Sequence, residues 1–416
     1  MNKLLIFARR FPYGMNEPYL ETEMKYLTEF DEVHVFSLSV GKNTSRRTVH
    51  EGDNIYYHTI PYQNLIKYIL ALLTSLFSTH FYKEMHKLFK TKRLNMNAMK
   101  QLIIYLAKSK VETKEIETII NEKNIVSEQD KVILYSYRFD YAAYMISKLD
   151  LSAKKVIRIA RAHGIDLYEY RQSSNYLPFR EYILEQIDQL ILISKGNMDY
   201  AKARYPKYSS KFALSYLGTQ HLPFKLTPLT QPLEILSVSS VVSVKRLPLI
   251  LKAITLASRT NDIHWTHYGA GEGFKELEIL VSEQKDNPNL KISLKGHVDN
   301  KQMLKELSEG NFHLFINLST TEGLPVSIME AMSVGIPAIA TNAGGTYEIV
   351  VNDYTGKLIN VETTVENVAD KIVEISNLSP IDYLEIRENA RTHWEENFSA
   401  DQNYRNFVQQ LIQLLK

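Results

Sequence analysis

The sequence contains no cysteine. That absence excludes disulfides and cysteine-ligated zinc, and it is compatible with a reducing compartment. Glycine and proline are sparse, 16 and 13 of 416 residues, too few for a disordered or low-complexity chain. Neither sign of charge dominates: 49 basic and 47 acidic residues leave a formal net charge of +2, which argues against a dedicated nucleic-acid-binding surface. Long hydrophobic runs are missing too. MNKLLIFARRF at the N-terminus has four apolar residues in a row before Ala8 and two arginines, too short for a signal-peptide core. The most apolar longer window, 65–82, carries Lys67, Thr74, Ser75, Ser78, Thr79 and His80, too polar for a membrane span.

What is present is alternation. A chain of 416 residues exceeds one ordinary core, so two domains with a cleft between them are expected. Short apolar runs (LLIF, VHVFSLSV, KVILYS, KVIRIA, QLILIS) alternate with helical patterns such as EPYLETEMKYLTEF, the mark of βαβ units and a parallel sheet. A stretch rich in proline and threonine, LGTQHLPFKLTPLTQPLE, reads as a linker. Beyond it the alternation resumes with EILSVSS, IHWTHYGAG, LKISLKG, FHLFINLS and GKLI. The expected organisation is a domain over 1–218, a second over 219–395, and a C-terminal helix over 396–416 packing back on the first. In that helix Tyr404, Phe407, Leu411 and Leu414 recur at helical spacing.

The stretch TEGLPVSIMEAMSVGIPAIATNAGGTYEIV, 321–350, sets Glu322 and Glu330 eight residues apart in an apolar run. A carboxylate there is costly unless something pairs with it. FHLFINLS reads as a strand, 320–323 as the loop at its carboxyl end, and Pro325 as the first residue of a helix. Ligands bind beyond the carboxyl ends of such strands, and a helix start there offers N–H groups to phosphate oxygens. Glu322 and Glu330 could then touch two parts of one elongated ligand, or Glu330 could simply pair with a neighbouring donor.

With that stretch the sequence resembles the retaining glycosyltransferases of family four, which have the GT-B fold: two Rossmann-like, doubly wound parallel-sheet domains facing across a cleft. EGLPVSIMEAMSVGIPAIAT and NAGGTYEIV resemble the family's segment with two glutamates separated by seven residues. The resemblance implies that Glu322 lies near a donor sugar and that Glu330 accepts hydrogen bonds from a nucleotide ribose, with Gly323, Leu324, Pro325 and Val326 beside the diphosphate. RRFPYGMNEPYLETEMKYL is similar to the loop after the family's first strand, with Gly14 letting backbone approach the diphosphate or acceptor. RAHGIDLY is similar to a first-domain motif whose histidine, here His163, faces the donor sugar.

ILSVSSVVSVKRLPLI stands where the family carries a lysine that stabilises the leaving diphosphate, which falls on Lys245. The family's arginine is replaced by Ser240, and Arg246 is a candidate to compensate. GAGEGFKE follows a strand, yet Phe274 occupies the third glycine position of a dinucleotide fingerprint. By resemblance Gly269 and Gly271 form a turn beside the nucleotide, and Gly296 and Val298 of LKGHVDN meet the base. The chain has no Asp-x-Asp triplet, and His264 and His267, three apart on a strand, face opposite ways. No metal and no cofactor are therefore expected beyond a nucleoside diphosphate sugar, UDP-sugar foremost, as co-substrate.

The activity implied is transfer of a sugar, with retention, to a hydroxyl of a saccharide acceptor, including a lipid-linked one, in bacterial polysaccharide or glycoconjugate synthesis. A catalytically silent GT-B partner protein is the alternative, with Ser240 in its favour; an epimerase or phosphorylase of the same fold is a weaker one. Segment 65–110 interleaves apolar residues with nine Lys and Arg against one acid, Glu84. It fits either an anionic membrane surface or a solvated helix face. The expected location is the cytoplasm, at the inner face of the plasma membrane if this segment binds lipid.

Overall fold

A computed structural model describes residues 1–14, 17–49 and 51–416. Met15 and Asn16 of the motif after the first strand lie outside the described residues. The chain divides into two compact units, Met1–Tyr216 with Tyr404–Lys416, and Leu217–Asn403. The divisions fall at 216/217 and 403/404, against 218/219 and 395/396 read from the sequence. Hydrogen bonds explain the later boundary. Thr219 N donates to Phe398 O at 2.9 Å, Ala400 N to Thr219 O at 2.9 Å, and the Trp394 indole to Thr219 Oγ1 at 2.7 Å, so 394–403 is held by the start of the second unit.

The first unit is built on seven parallel strands: β1 (Asn2–Ala8), β2 (Glu32–Val40), β3 (Ile55–Pro61), β4 (Lys131–Ser136), β5 (Lys155–Ala162), β6 (Gln189–Leu192) and β7 (Phe212–Leu214). Their order in the sheet is β3-β2-β1-β4-β5-β6-β7. Both faces are covered, which is why β1 reads as an unbroken apolar run. Its residues alternate between two cores. Leu5 and Phe7 join one with Leu102, Leu106 and Ile116 of the helix Met96–Glu122; Leu4 and Ile6 join the other with Leu20 and Met24 of the helix Pro18–Met24. The second core also takes Phe407, Val408, Leu411 and Leu415 of the helix Ala400–Leu415.

The second unit has six parallel strands: β8 (Leu233–Val238), β9 (Ile263–Tyr268), β10 (Leu290–Leu294), β11 (Leu314–Asn317), β12 (Ala338–Thr341) and β13 (Gly356–Ile359), in the order β10-β9-β8-β11-β12-β13. Three strands, β3, β7 and β12, were not expected from sequence, and the helix expected over 17–30 breaks into Pro18–Met24 and a 3-10 turn at Leu27–Glu29. Segment 65–110 forms the helices Leu65–Ser75 and Thr79–Lys90 and part of Met96–Glu122. Among the described residues no single helix is long and apolar enough to cross a membrane, although the first two pass together by length and composition with a 74° bend between them.

In each sheet the winding direction reverses once, between β1 and β4 and between β8 and β11. There the loops at the carboxyl ends diverge and leave room for a ligand.

Candidate active site

The reversal point of the second unit is flanked by the loop after β8, which carries Lys245, and the loop after β11, which carries Glu322. They meet: Lys245 Nζ lies 2.5 Å from Glu322 Oε1. Glu322 is buried and also accepts from Asn317 Nδ2 at 3.4 Å, while Asn317 Oδ1 accepts from Ser319 Oγ at 2.6 Å. Lys245 is about a quarter exposed. A charged pair so placed is screened less than one on the surface and is positioned to exchange partners with an arriving anion.

Backbone hydrogen bonds tie the loops at this end of the sheet into a rim. Thr320 N donates to Val244 O at 2.9 Å, Val241 N to Ala270 O at 3.1 Å, Gly269 N to Gly296 O at 2.8 Å, and Gly345 N to Gly323 O at 2.9 Å. Two glycines are required by space as well as by conformation. A Cβ on Gly269 (φ +139°) would lie 1.8 Å from Ser239 O, and one on Gly344 (φ +56°) would lie 2.0 Å from Glu322 O. Gly271 is equally confined, where a Cβ would lie 2.4 Å from Val241 O, whereas a Cβ on Gly296 would make only an ordinary contact with Phe274 Cζ at 3.8 Å, and that glycine is set by its φ of +63°. Val298 follows in the same turn, half-buried.

Pro325 is the residue before the helix, with extended ψ of 93°, and the helix runs from Val326 to Met332; the expected start at Pro325 is corrected by one position. Leu324, Pro325 and Val326 bury their side chains. What they leave to a ligand is backbone: the N–H groups of a first turn have no partner inside the helix. With only seven residues the helix has a small dipole, so the positive charge of the rim rests mainly on Lys245. Arg246, in the left-handed conformation at φ +50°, donates from Nε to Leu318 O at 2.5 Å and from Nη1 to Val361 O at 2.7 Å. Those bonds hold the end of β11 in place. Ser240 is exposed and brings no charge.

Glu330 sits one turn inside the helix, buried, and burial pushes its carboxyl up to about 7, with a hydrogen bond from Asn300 acting in the opposite direction. Asn300, Asn317 and Ser319 were not read from the sequence. Polar residues at strand ends and at the start of the helix Asn300–Glu309 were the available signal. On β9, His267 is buried, bonded through Nδ1 to Ser237 Oγ at 2.8 Å and held near 4 by burial, while His264 lies by Glu234 at 3.0 Å. Among the described residues no group of three or more His, Asp or Glu side chains is placed to hold a metal ion.

Two sequence-read residues lie in the first unit. Gly14, at φ +64°, donates its N–H to Ser45 O at 3.0 Å. His163 ends β5 and precedes the short helix Gly164–Leu167; its backbone N–H donates to Asp166 Oδ1 at 2.5 Å. Among the described residues neither ring nitrogen has a partner at hydrogen-bond distance. Burial lowers its pKa despite Asp166 Oδ2 at 3.6 Å from Nδ1, so the ring is neutral near pH 7, and Nε2 is the nitrogen with no neighbouring carboxylate.

Comparison with known proteins extends this geometry. Residues 219–393 match the family described as glycosyl transferases group 1. The putative colanic acid biosynthesis glycosyltransferase WcaL of Escherichia coli K12 is 26% identical over 248 residues, 57% of this chain and 59% of the relative, so the match spans about three-fifths of that protein. The amylovoran biosynthesis glycosyltransferase AmsK of Erwinia amylovora is 23% identical, covering 68% of this chain and 70% of the relative. Among solved structures, Staphylococcus aureus TarM in complex with fondaparinux, α-GlcNAc-glycerol and UDP aligns with a TM-score of 0.67 at 13% identity over 98% of this chain and 99% of its own. HepE of Anabaena in complex with UDP aligns with a TM-score of 0.65 at 14% identity over 99% and 100%. These likenesses give the fold as GT-B, two parallel-sheet α/β units. The likeness to the glycosyl transferases group 1 lies in residues 219–393, the part of the second unit that carries the acid pair of the β11 loop and helix and the lysine of the β8 loop.

Proposed function

We propose that the protein is a retaining glycosyltransferase that moves a sugar from a nucleoside diphosphate sugar, with UDP as the nucleotide, to a hydroxyl of a saccharide acceptor in cell-surface polysaccharide or glycoconjugate synthesis. The observation that carries this is the Lys245–Glu322 pair at the reversal point of the second sheet, with buried Glu330 in the helix that follows the Glu322 loop. The names of WcaL and AmsK, and the UDP in the TarM and HepE structures, support it.

In this reading the diphosphate draws Lys245 Nζ away from Glu322. The bond between the anomeric carbon and the phosphate oxygen lengthens, and its electron pair passes to that oxygen, where Lys245 and the N–H groups at 324 and 326 offset the growing charge without a metal ion. Glu322, released, accepts from a hydroxyl of the donor sugar, and Glu330 accepts from the ribose. The acceptor hydroxyl attacks from the face the leaving group vacates, its proton passing to the leaving phosphate. His163, neutral and with Nδ1 turned toward Asp166, hydrogen-bonds a sugar hydroxyl through Nε2.

A membrane surface belongs to the same proposal. The helix Leu65–Ser75 and the turn after it leave Leu65, Ile66, Leu70, Leu73 and Phe77 at least half exposed. Lys83, Lys90, Lys92 and Lys100 form no ion pair among the described residues. Apolar residues flanked by free cations suit an anionic lipid surface carrying a lipid-linked acceptor.

The test is incubation of the purified chain with UDP-, GDP- and ADP-sugars, with and without crude lipid-linked acceptor, following nucleotide release and the anomeric configuration of the product. UDP release that depends on acceptor, with retention, is the expected result. No donor binding, with a Glu330→Ala variant indistinguishable from wild type in thermal shift with nucleotides, would instead support the silent-partner reading.

A further inference from the structure

A cavity of about 500 Å³ lies in the first unit, at the carboxyl ends of β1 to β5 where its sheet reverses. Its size is that of a small-ligand site. Five cations line it, Arg9, Arg10, Lys108, Arg138 and Arg180, against two carboxylates, Asp140 and Asp166.

The two acids are already engaged. Asp140 accepts from Arg9 Nε at 2.6 Å and from Ala142 N at 2.9 Å; Asp166 accepts from the backbone N–H groups of Phe139, at 3.1 Å, and His163, at 2.5 Å. Arg138 Nε donates to Glu17 Oε1 at 3.3 Å, and Glu17 further accepts from the backbone of Arg9, Arg10 and Phe11, fixing the loop after β1. Behind the wall Glu112 bonds Ser39 Oγ, and burial raises its carboxyl toward the neutral form.

Three cations are left over. Arg180 is 1% exposed; among the described residues its side chain donates once, to Phe139 O, and stacks on the Phe139 ring at 4.1 Å, while Nε and Nη2 have no hydrogen-bond partner. Lys108 Nζ lies over the rings of Tyr141, at 4.8 Å, and Tyr62, at 5.4 Å, with no carboxylate in ion-pair distance among the described residues. Among the described residues the Arg10 side chain reaches only the Tyr62 hydroxyl, at 3.5 Å. A buried guanidinium with two unmet donors is costly unless an anion completes it, and its planar fork suits a carboxylate or phosphate. The tyrosine faces beside it offer apolar surface to a sugar ring.

We infer that this cavity receives the acceptor and selects an anionic saccharide, one whose carboxylate or phosphate is bound by Arg180, Lys108 and Arg10. The inference rests on the transferase reading above. A neutral acceptor would leave all three cations unanswered.

The experiment is calorimetric binding to the full chain of methyl glucuronide, glucose 6-phosphate, methyl glucoside and inorganic phosphate, in wild type and in Lys108→Gln and Arg10→Gln variants. UDP thermal shift is measured alongside. One or both charged sugars should bind about tenfold or more tightly than methyl glucoside and than phosphate, as a charge-assisted hydrogen bond implies. The two sugars separate a carboxylate ligand from a phosphate one. Each variant should lose most of that preference while keeping its melting temperature and UDP shift. Equal binding of neutral and charged sugars, absence of sugar binding, phosphate binding as tight as the sugar phosphate, or variants that retain the preference would each overturn the inference. If UDP itself fails to shift the melting temperature, it is the transferase reading that fails.

Discussion

Lys245 Nζ lies 2.5 Å from Glu322 Oε1, so the lysine on the β8 loop and the acid on the β11 loop neutralise each other in the free protein. Arg246 commits Nε and Nη1 to Leu318 O and Val361 O and has only Nη2 unmet among the described residues, and residue 240 is a serine, so within the β8 loop Lys245 is the cation not anchored to backbone carbonyls. Removing it should be more damaging than in a site with two. Lys245→Ala is expected to lower kcat by about 100- to 1,000-fold, the cost of one preorganised charge-stabilising group. Ser240→Arg should raise donor affinity in wild type and recover part of the loss in Lys245→Ala. Steady-state nucleotide release from a UDP-sugar measures both, and a Lys245→Ala enzyme of near-normal kcat would remove this lysine from the reaction.

Gly344 ties the same loop to the turn after β12. At φ +56°, a side-chain methyl group there would meet Glu322 O at 2.0 Å, so alanine cannot be accommodated without moving the backbone of Glu322. Gly344→Ala should therefore lose the UDP thermal shift while circular dichroism remains that of the folded chain. Retention of the shift would mean that the backbone at 322 and the nucleotide are independent.

How much of this was legible beforehand depended on locality. Lys245, Glu322 and Glu330 lie in short stretches whose spacing is itself the signal. Their partners Asn300 and Asn317 come from the helix after β10 and the end of β11, and only the sheet order sets them beside the acids. The same holds for the first-unit cavity, whose cations at 9, 10, 108, 138 and 180 are scattered along the chain and gathered by the reversal between β1 and β4. Among strands, β12 reads AIAT, alanine-rich and inside the two-glutamate segment, and β7 has three residues. Strand β3 is an edge strand whose exposed Tyr56 interrupts an apolar run. The long runs of β1, β2 and β4, buried on both faces, were the readable ones.

The C-terminal helix completes the core on one face of the first sheet. Phe407 is 1% exposed, and the guanidinium of Arg161 lies 4.4 Å from its ring centre. Arg161 is itself fully buried, 3.0 Å from Glu23 Oε2. Phe407→Ala should cost about 3–5 kcal/mol, from the cavity and from the loss of the ring over a buried cation. Denaturant unfolding checks this. A change below about 1 kcal/mol, small for a buried aromatic, would mean that the helix is dispensable to the first unit.

The surface of the helix Leu65–Ser75 gives a prediction that does not depend on catalysis. Replacing Leu70, Leu73 and Phe77 together by serine removes side chains that are at least half exposed, so stability should change little. Membrane partitioning should fall steeply, since each large apolar side chain withdrawn from water contributes about 1.5–3 kcal/mol. Flotation with anionic and neutral vesicles is the measurement. Wild type should float with anionic vesicles in a salt-sensitive way and the triple variant should not; equal behaviour of the two would leave a solvated helix face as the better reading.

Glu330 links stability, pH and nucleotide binding. Burial raises its carboxyl from an ordinary 4.5 to about 7, so in the free protein the neutral form is favoured. The contribution of a group raised in this way is fully present below about 4.5 and is lost as pH climbs through about 7. The loss amounts to about 3 kcal/mol at most, since each tenfold change in proton affinity between the folded and unfolded chain is worth about 1.36 kcal/mol. Glu330→Gln, which keeps the shape and cannot ionise, should flatten this part of the stability profile and make the protein more stable than wild type at pH 8. Binding runs the other way: a carboxylate that accepts from two ribose hydroxyls must be ionised, so UDP affinity should rise as pH climbs from 6 to 8, by up to about tenfold for each step of one pH below 7. In Glu330→Gln that dependence should vanish together with much of the affinity. Melting curves and calorimetric titrations of UDP at pH 6, 7 and 8 measure both slopes. Wild-type slopes of the same sign, or a UDP affinity flat across this range, would break the link between the buried acid and the ribose.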